Sequence, residues 1–244
     1  MAVAKQNCFR LIEGEHSIVV AAPDFFEFML SSTLCGWAFE TETSGAAVDI
    51  SVEFDGTRFR TDSRIYVDPI LRTDPVHALN DFFLTLAYLY TRQNTDHHLI
   101  HCSAYSENDR NILLLGDKKS GKSFAATLHG LTGNCFIADD LLLWNYKTGF
   151  FKALGLPPRI RRPVPEEIIE HVKPEAFLAG QNLAYLKKDA YKGTDAGSVL
   201  EFDQVRVFES PRICHDVKLI NYAKELDKRR IDSVFWQNKK DRLS

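Results

Sequence analysis

Eight residues near the middle of the chain, GDKKSGKS at 116–123, have the pattern of a phosphate-binding loop. In the pattern GxxxxGK[ST], the loop turns its backbone N–H groups toward a phosphate, and the helix that follows adds its positive N-terminal end. Lys122 would reach the β- and γ-phosphates of a nucleotide, and the Ser123 hydroxyl would bind Mg²⁺. The alternative is a lysine-rich surface turn, which the bulky Lys118 and Lys119 favour.

A second candidate is the pair of adjacent carboxylates at Asp139 and Asp140, which follows the apolar run CFIA. Two carboxylates at the end of a hydrophobic strand are costly to bury unless they bind something, and a metal ion beside the loop would satisfy them. Because alternate side chains of a strand face opposite sides, one aspartate would face the metal and the other the acceptor. The alternative is a pair that caps turns or is neutralised by lysines.

His101 and a group of arginines are further candidates. A single histidine near a strand end is usually structural, but the position of His101 ahead of the loop gives it more weight. Arg159, Arg161 and Arg162 follow a Gly-Leu-Pro-Pro turn and would hold phosphates or an acidic acceptor. Three arginines in a proline-rich loop also fit a solvated surface.

The elements that must position these residues alternate as strand, loop, helix and strand. The apolar run at 111–116 is typical of a strand buried on both faces. A helix is predicted from about residue 122 to 128, with Gly130 as its C-cap. Residues 97–106 and 135–145 are each predicted to form one strand. This succession predicts the core of an α/β nucleotide-binding fold.

The first third of the chain contains strand patterns and one long helix. Residues 16–22 are rich in β-branched side chains, and Asp55-Gly56 predicts a hairpin turn. Asp74 and Pro75 fit the N-cap and first position of a helix. Its apolar face is predicted to be buried and comprises Val76, Leu79, Phe82, Phe83, Leu86, Leu89 and Tyr90.

The last third is less regular. Residues 155–165 contain four prolines, which predict a segment without regular structure. A helix is predicted to start at Glu166 and to run through residue 173. Residues 216–237 have helical periodicity in parts, and the polar tail at 238–244 is predicted to be frayed.

The composition limits the class of protein. Hydrophobic residues make up 45% of the 244 residues, the level of a globular protein with a substantial core. The net charge of −3 and the lack of a basic aromatic stripe point to neither nucleic acid nor a membrane as a partner. The scattered cysteines contain no CxxC pair, which argues against disulfides and structural zinc and favours a cytoplasmic setting. They are Cys8, Cys35, Cys102, Cys135 and Cys214.

His101, the loop and the aspartate pair together resemble the HPr kinase/phosphorylase family, whose catalytic domain is related to the ATP-dependent phosphoenolpyruvate carboxykinases. In that family a histidine at a strand start precedes a short hairpin, an apolar strand into GxxxxGKS and an apolar strand ending in Asp-Asp. The resemblance covers about residues 97–163. It implies an α/β fold with a mixed sheet around a P-loop core of that type in residues 96–244. Residues 1–95 do not resemble the usual N-terminal domain of that family, and their strand patterns and long helix predict an N-terminal α+β lobe.

The resemblance also implies a Mg-ATP-dependent kinase that transfers the γ-phosphate to a hydroxyl, a serine of a protein or peptide. Ser123 and Asp139 would bind the metal. Asp140 would be the general base with His101 as its partner, and Lys122 would be the catalytic lysine. The residues expected to bind ATP are Gly116, Asp117, Lys118, Lys119, Ser120, Gly121, Lys122, Ser123 and Phe124.

Two alternatives remain open. The family has a metal-binding glutamate after the aspartate pair, and the nearest position here is Lys152. Together with the lysines of the loop, this leaves open a nucleotide-binding sensor without catalysis. The other alternative is a kinase acting on free serine or another metabolite, which would need a small, enclosed acceptor pocket. A homo-oligomer is compatible with all three functions.

Overall fold

Each of the described strands contains at least one β-branched or aromatic residue, and strands outnumber helices in this mixed α/β fold. The computed structural model describes residues 5–210, 213–217, 226, 229 and 230. The helices are α1 (Asp24–Thr33), α2 (Pro75–Gln93), α3 (Lys122–Leu131) and α4 (Glu166–Ile169), with short 3-10 turns at Pro174–Ala176 and Lys188–Ala190. The strands are β1 (Gln6–Glu13), β2 (His16–Pro23), β3 (Ala38–Thr41), β4 (Ile50–Phe54), β5 (Phe59–Ser63), β6 (Ile70–Arg72), β7 (His97–Ile100), β8 (Ser103–Glu107), β9 (Arg110–Gly116), β10 (Cys135–Asp139), β11 (Leu142–Asn145), β12 (Phe151–Lys152), β13 (Arg159–Arg161), β14 (Phe177–Ala179), β15 (Leu183–Leu186), β16 (Val199–Leu200), β17 (Gln204–Ser210) and β18 (Ile213–Val217).

The described strands form four sheets. The first has the order β3-β1-β2-β4-β5-β6, and the second has the order β10-β8-β9-β17-β18. Each of these two sheets is mixed, since β2 runs parallel to β4 and β9 runs parallel to β17. The third and fourth sheets, β16-β12-β11-β7 and β13-β15-β14, are antiparallel. The predicted α/β class with mixed sheets is confirmed at this level.

The hairpin and helix predicted in the first third are present. The Asp55 carboxylate accepts the N–H groups of Thr57 and Arg58 in the turn between β4 and β5. Asp74 caps α2 by accepting the N–H groups of Val76 and His77. The predicted face of α2 is buried, as expected for an amphipathic helix on a sheet.

The largest hydrophobic core crosses the expected lobe boundary at residue 95. Alongside α1, α2 and the first sheet, it includes side chains from beyond residue 95. Those side chains are Leu99, Leu141, Leu143, Leu154, Leu156, Leu183, Tyr185 and Ala196. The two parts of the chain are therefore packed against each other through one shared core.

The prediction of single strands at 97–106 and 135–145 is wrong, because each segment forms two strands in different sheets. β7 and β11 pair in the third sheet, and β8 and β10 pair in the second. The two antiparallel segments thus leave one sheet and enter another together. Asp140, at this corner, has a φ of 66°, in the left-handed region that aspartate tolerates better than most residues. We call this turn the sheet corner, comprising residues 101–102 and 140–141.

Three other predictions need correction. Gly130 is not the C-cap of α3, which extends to Leu131 and is capped by Thr132. A β-carbon on Gly130 would lie 2.7 Å from that of Phe136, so the glycine allows close packing of the helix on β10. The proline-rich segment at 155–165 contains the short strand β13, because its three residues lie between the prolines. α4 starts at Glu166 as predicted but ends four residues earlier than expected.

The predicted helical periodicity at 216–237 is wrong for Asp216 and Val217, which lie in β18. The rest of that segment, apart from residues 226, 229 and 230, and the tail at 238–244 lie outside the described residues. Among the residues that the structure describes, every helix is too short or too polar to cross a bilayer.

Candidate functional site

The loop at 116–123 connects the buried strand β9 to the N-terminus of α3. Three of its residues have positive φ angles, Gly116 at 143°, Lys119 at 68° and Gly121 at 100°. Gly116 packs so tightly on β17 that a β-carbon would overlap the carbonyl oxygen of Phe208. Glycine is therefore required at the point where the chain leaves the sheet. The following turns place the last residues of the loop at the head of a ten-residue helix.

Lys122 is buried at the end of the loop, with 5% of its surface exposed. Its ammonium group donates to the carbonyl oxygens of Gly116 and Asp117, each at 2.9 Å. Burial lowers the pKa of Lys122, and the carboxylates of Asp139 and Asp140 oppose that shift. A cation held by carbonyl oxygens in a helix–loop junction is well placed to exchange them for phosphate oxygens, which are stronger acceptors.

The two serines of the loop have different environments. Ser120 is 3% exposed and lines the main cavity, and its hydroxyl has no hydrogen-bond partner among the described residues. A buried hydroxyl without a partner is unfavourable and fits a ligand that supplies one. Ser123 also lines the cavity, and its hydroxyl lies near enough to Asp139 to lower the pKa of that carboxyl. Ser123 therefore links the loop to the aspartate pair.

Asp139 is the inner member of that pair. It is 3% exposed and accepts hydrogen bonds from the Ser103 hydroxyl at 2.9 Å and from the Arg159 N–H at 3.1 Å. Burial and the neighbouring Asp140 charge raise the pKa of Asp139, while Arg159 and Ser123 lower it to a smaller extent. Asp139 is not among the residues that line the main cavity.

Asp140 is the outer member and lines the main cavity. Its Oδ1 lies 3.5 Å from His101 Nε2, and its Oδ2 is ion-paired with the Arg159 guanidinium. Burial would raise the pKa of Asp140, but the His101 hydrogen bond and the Arg159 charge outweigh it and hold the pKa below the ordinary value. The two aspartates share Arg159, whose backbone N–H reaches Asp139 and whose guanidinium reaches Asp140, and of the two only Asp140 lines the main cavity.

Arg159 has a central position that the sequence did not distinguish from its neighbours. Its backbone N–H donates to Asp139. Its guanidinium contacts Asp140 and the side-chain amide oxygen of Asn80. Arg161 lines the cavity but is exposed, and Arg162 is exposed and donates to the Gly180 carbonyl outside the cavity. A period-two pattern in RIR would place Arg159 and Arg161 on one face of a short strand, but no local pattern predicts that Asn80 contacts Arg159.

Lys152, which occupies the position nearest the family's glutamate, lies away from the aspartate pair. Its ammonium group donates to Asn94 at 3.2 Å and lies over the Tyr90 ring. It is not among the residues that line the main cavity.

The main cavity has a volume of about 640 Å³, within the range of small-molecule sites. One side is cationic and polar, formed by the loop, His101, Asp140, Arg159 and Arg161, and the other is apolar, formed by Ile160, Pro163, Pro165 and Ile168. Of the residues expected to bind ATP, seven line it, and these are Lys118, Lys119, Ser120, Gly121, Lys122, Ser123 and Phe124. Gly116 and Asp117 lie at the base of the loop and are not lining residues.

Asp117 places a negative charge inside the loop. Its exposed carboxylate pairs with the Arg229 guanidinium at 2.9 Å. The carbonyl oxygen of Arg229 accepts the N–H of His101 at 3.0 Å. Arg229 therefore connects the loop to the sheet corner and offsets the charge of Asp117.

The described residues contain no group of three or more His, Cys, Asp or Glu side chains that would hold a metal ion alone. Mg²⁺ bound with a nucleotide needs only one or two protein ligands, because phosphate oxygens and waters complete its shell. The adjacent Ser123 hydroxyl and Asp139 carboxylate supply hard oxygen donors of that kind. These donor types fit a magnesium ion carried by a nucleotide, and Ser123 lines the cavity. Asp139 would have to exchange its contacts with Ser103 and the Arg159 N–H for the ion.

Comparison with known proteins gives no family assignment. No protein-family model matches the chain, and a search of curated proteins finds no matching sequence.

Proposed function

We propose that this chain is an ATP-dependent kinase with a P-loop core of the HPr kinase/phosphoenolpyruvate carboxykinase type. It transfers the γ-phosphate to a hydroxyl, with a serine of a protein or peptide as the acceptor. The observation that carries the proposal is that Lys122 and Asp140 line one cavity, beside a buried Ser120 hydroxyl that has no hydrogen-bond partner in the described part of the chain. A phosphate site and a carboxylate within one cleft are what phosphoryl transfer requires.

The loop side of the cavity binds the phosphates in this proposal. The loop N–H groups and the N-terminus of α3 face the anion, and Lys122 exchanges its carbonyl acceptors for β- and γ-phosphate oxygens. Ser123 and Asp139 would hold Mg²⁺, which would neutralise charge on the phosphates. The apolar lining residues Pro163 and Ile168 are available to contact the uncharged part of the ligand.

Asp140 orients the acceptor hydroxyl and takes its proton. The hydroxyl oxygen then bonds to the γ-phosphorus as the bond from that phosphorus to the bridging oxygen breaks, and ADP leaves. A lowered pKa keeps Asp140 ionised and able only to accept hydrogen bonds. His101 and Arg159 fix the orientation of the carboxylate. Proton acceptance by such a group typically contributes about 10²–10⁴-fold to the rate.

A nucleotide-binding sensor is the second candidate. Both oxygens of Asp140 already have partners, His101 and Arg159, and an acceptor hydroxyl would have to share or displace one of them. The position nearest the family's metal-binding glutamate is Lys152, which contacts Asn94 and Tyr90 and therefore supplies no second carboxylate to the cavity. A sensor would bind ATP with the same loop and transfer no phosphate.

Calorimetric titration with Mg-ATP tests the phosphate site. Wild type is expected to bind, and Lys122→Ala is expected to lose about 10- to 100-fold in affinity, because a charge-assisted contact to phosphate is removed. Lys188→Ala, at an exposed lysine outside the cavity, is the matched control and should bind as wild type does. Equal affinity in wild type and Lys122→Ala, or no binding by either, contradicts the proposal.

Phosphate transfer separates the kinase from the sensor. Wild type and Asp140→Asn are incubated with γ-labelled ATP and either free serine or serine-bearing proteins. Label on an acceptor with wild type but not with Asp140→Asn, at equal ATP affinity, supports the kinase. Transfer to free serine rather than to protein would identify a small-molecule kinase. ATP binding without transfer to any acceptor would favour the sensor.

A further inference from the structure

Arg159 and Tyr185 converge on one atom of α2. They face each other directly across β13 and β15, so their side chains emerge on the same face of the sheet. Arg159 Nη1 donates to Asn80 Oδ1 at 3.2 Å, and the Tyr185 hydroxyl donates to the same oxygen at 3.0 Å. Two donors on one carbonyl oxygen fix the orientation of the Asn80 amide.

α2 is held against this sheet by contacts on either side of Asn80. At the N-terminus of the helix, the Asp74 carboxylate accepts the N–H of Gln181, which precedes β15. One turn after Asn80, the Phe83 ring packs edge-on against the Tyr185 ring with centroids 5.1 Å apart. These contacts determine where the amide oxygen of Asn80 lies relative to β13 and β15.

Tyr185 remains a hydrogen-bond donor in this arrangement. It is 3% exposed, and burial raises the pKa of its hydroxyl above the ordinary value. The Asn80 side-chain oxygen therefore accepts hydrogen bonds from the neutral Tyr185 hydroxyl and from the Arg159 guanidinium, both of which need an acceptor when buried. The Arg159 guanidinium is thereby held at two points, by Asn80 through Nη1 and by Asp140 through Nη2.

We infer that Asn80 is a positioning residue, which fixes Arg159 and through it the orientation of the Asp140 carboxylate toward the acceptor. The catalytic part of this inference rests on the proposed kinase function. It gives the first 95 residues, whose role the sequence left open, a direct part in the site. Loss of the Asn80 oxygen leaves Arg159 Nη1 without this acceptor and lets the guanidinium rotate on Asp140.

The first test is independent of activity. In ¹⁵N NMR spectra of the full chain, a guanidinium held at both ends gives separate Nη signals, and a rotating one gives averaged signals. Arg159→Lys identifies the signals by their loss. Wild type and Asn80→Asp, which keeps an acceptor oxygen, are expected to show separate signals, and Asn80→Leu is expected to show averaged ones. Separate signals in folded Asn80→Leu would overturn the inference. Asn80→Ala replaces the leucine variant if that variant does not fold.

The second test measures the consequence for phosphate transfer. Asn80→Leu is expected to lower kcat by up to about 100-fold while the KM for ATP changes less than about twofold, because a misplaced carboxylate affects the reacting geometry and not the loop. The kcat decrease should vanish in an Arg159→Lys background, since the two residues act as one unit. A decrease of equal size in both backgrounds would overturn the inference. Gln93→Leu, at the exposed end of α2, should behave as wild type.

The two tests also separate this inference from the proposed function. Averaged Arg159 signals in Asn80→Leu, with no phosphate transfer by wild type to any acceptor, would refute the kinase and retain Asn80 as the anchor of Arg159. Phosphate transfer by wild type, together with Arg159 signals that stay separate in Asn80→Leu, would support the kinase and refute the role of Asn80.

Discussion

Gly116 and Phe208 are directly paired in the parallel strands β9 and β17, and a β-carbon on Gly116 would overlap the Phe208 carbonyl oxygen. We predict that Gly116→Ala lowers the free energy of unfolding by more than about 2 kcal/mol, because it adds this clash to the strain of a positive φ. Urea denaturation followed by circular dichroism measures the change. Gly133→Ala is the matched control, since Gly133 also has a positive φ but has open space around its α-carbon. Equal losses of unfolding free energy in the two variants would contradict the prediction, because they would show that the overlap with the Phe208 oxygen adds no cost.

Arg159 and Arg161 give a second stability comparison on one strand. Arg159→Ala removes the ion pair to the largely buried Asp140 and is expected to cost about 1–3 kcal/mol of unfolding free energy. Arg161→Ala, at an exposed side chain two residues away, is expected to cost less than about 0.5 kcal/mol. Chemical denaturation at neutral pH tests both variants. Similar losses would mean that Asp140 finds another partner when Arg159 is absent.

The charge of Asp117 is predicted to oppose phosphate binding by the loop. Asp117→Asn should increase the affinity for Mg-ATP by roughly two- to fivefold at low salt, and Arg229→Gln should decrease it by a similar factor. Both effects should shrink when the salt concentration is raised, because Asp117 is exposed. Titration calorimetry at two salt concentrations measures them. An unchanged affinity in both variants would mean that the anion does not contact this end of the loop.

His129 is predicted to make stability depend on pH. Its ring stacks on Tyr105 and faces Glu107, Asn134 and Arg206. Burial lowers the pKa of His129 below the ordinary value, against a raising effect of Glu107. The unfolded chain then binds more protons than the folded one as the pH falls through about 6.5, so this residue costs stability below that pH.

The measurement for His129 is a comparison with His129→Gln across pH. The unfolding free energy of wild type minus that of the variant should rise by about 1 kcal/mol or less between pH 5 and pH 7. Taking the difference removes the contribution of other buried histidines. A difference that stays level, or falls with rising pH, would contradict the prediction. NMR titration of the ring gives an independent reading of the pKa.

The sequence predicts those elements whose signals are local. Asp74 and Pro75 identify the start of α2, because capping depends on adjacent residues. The apolar run before Gly116 identifies β9, and the glycine pattern identifies the loop. His101 and Asp140, chosen from their order along the chain, do lie within 3.5 Å of each other.

Features that depend on distant pairing were not predictable. The division of residues 97–106 and 135–145 between two sheets follows from pairing across the chain. His101 and the aspartate pair interrupt the two apolar patterns at the corner, but they do not reveal that the strands change sheets. Asn80 and Tyr185 meet Arg159 only because α2, β13 and β15 are packed together. Neither residue has a sequence neighbour that marks it as part of a site. Such contacts have to be read from three-dimensional packing.

The sheet corner makes the geometry of the candidate site depend on how the second and third sheets are oriented relative to each other. His101 and Asp140 belong to segments that each have one end anchored in the second sheet and the other in the third. Any change in the angle between those sheets must alter the separation of the imidazole and the carboxylate. A distant substitution in the interface of the two sheets would therefore change the separation of His101 and Asp140 without contacting either residue.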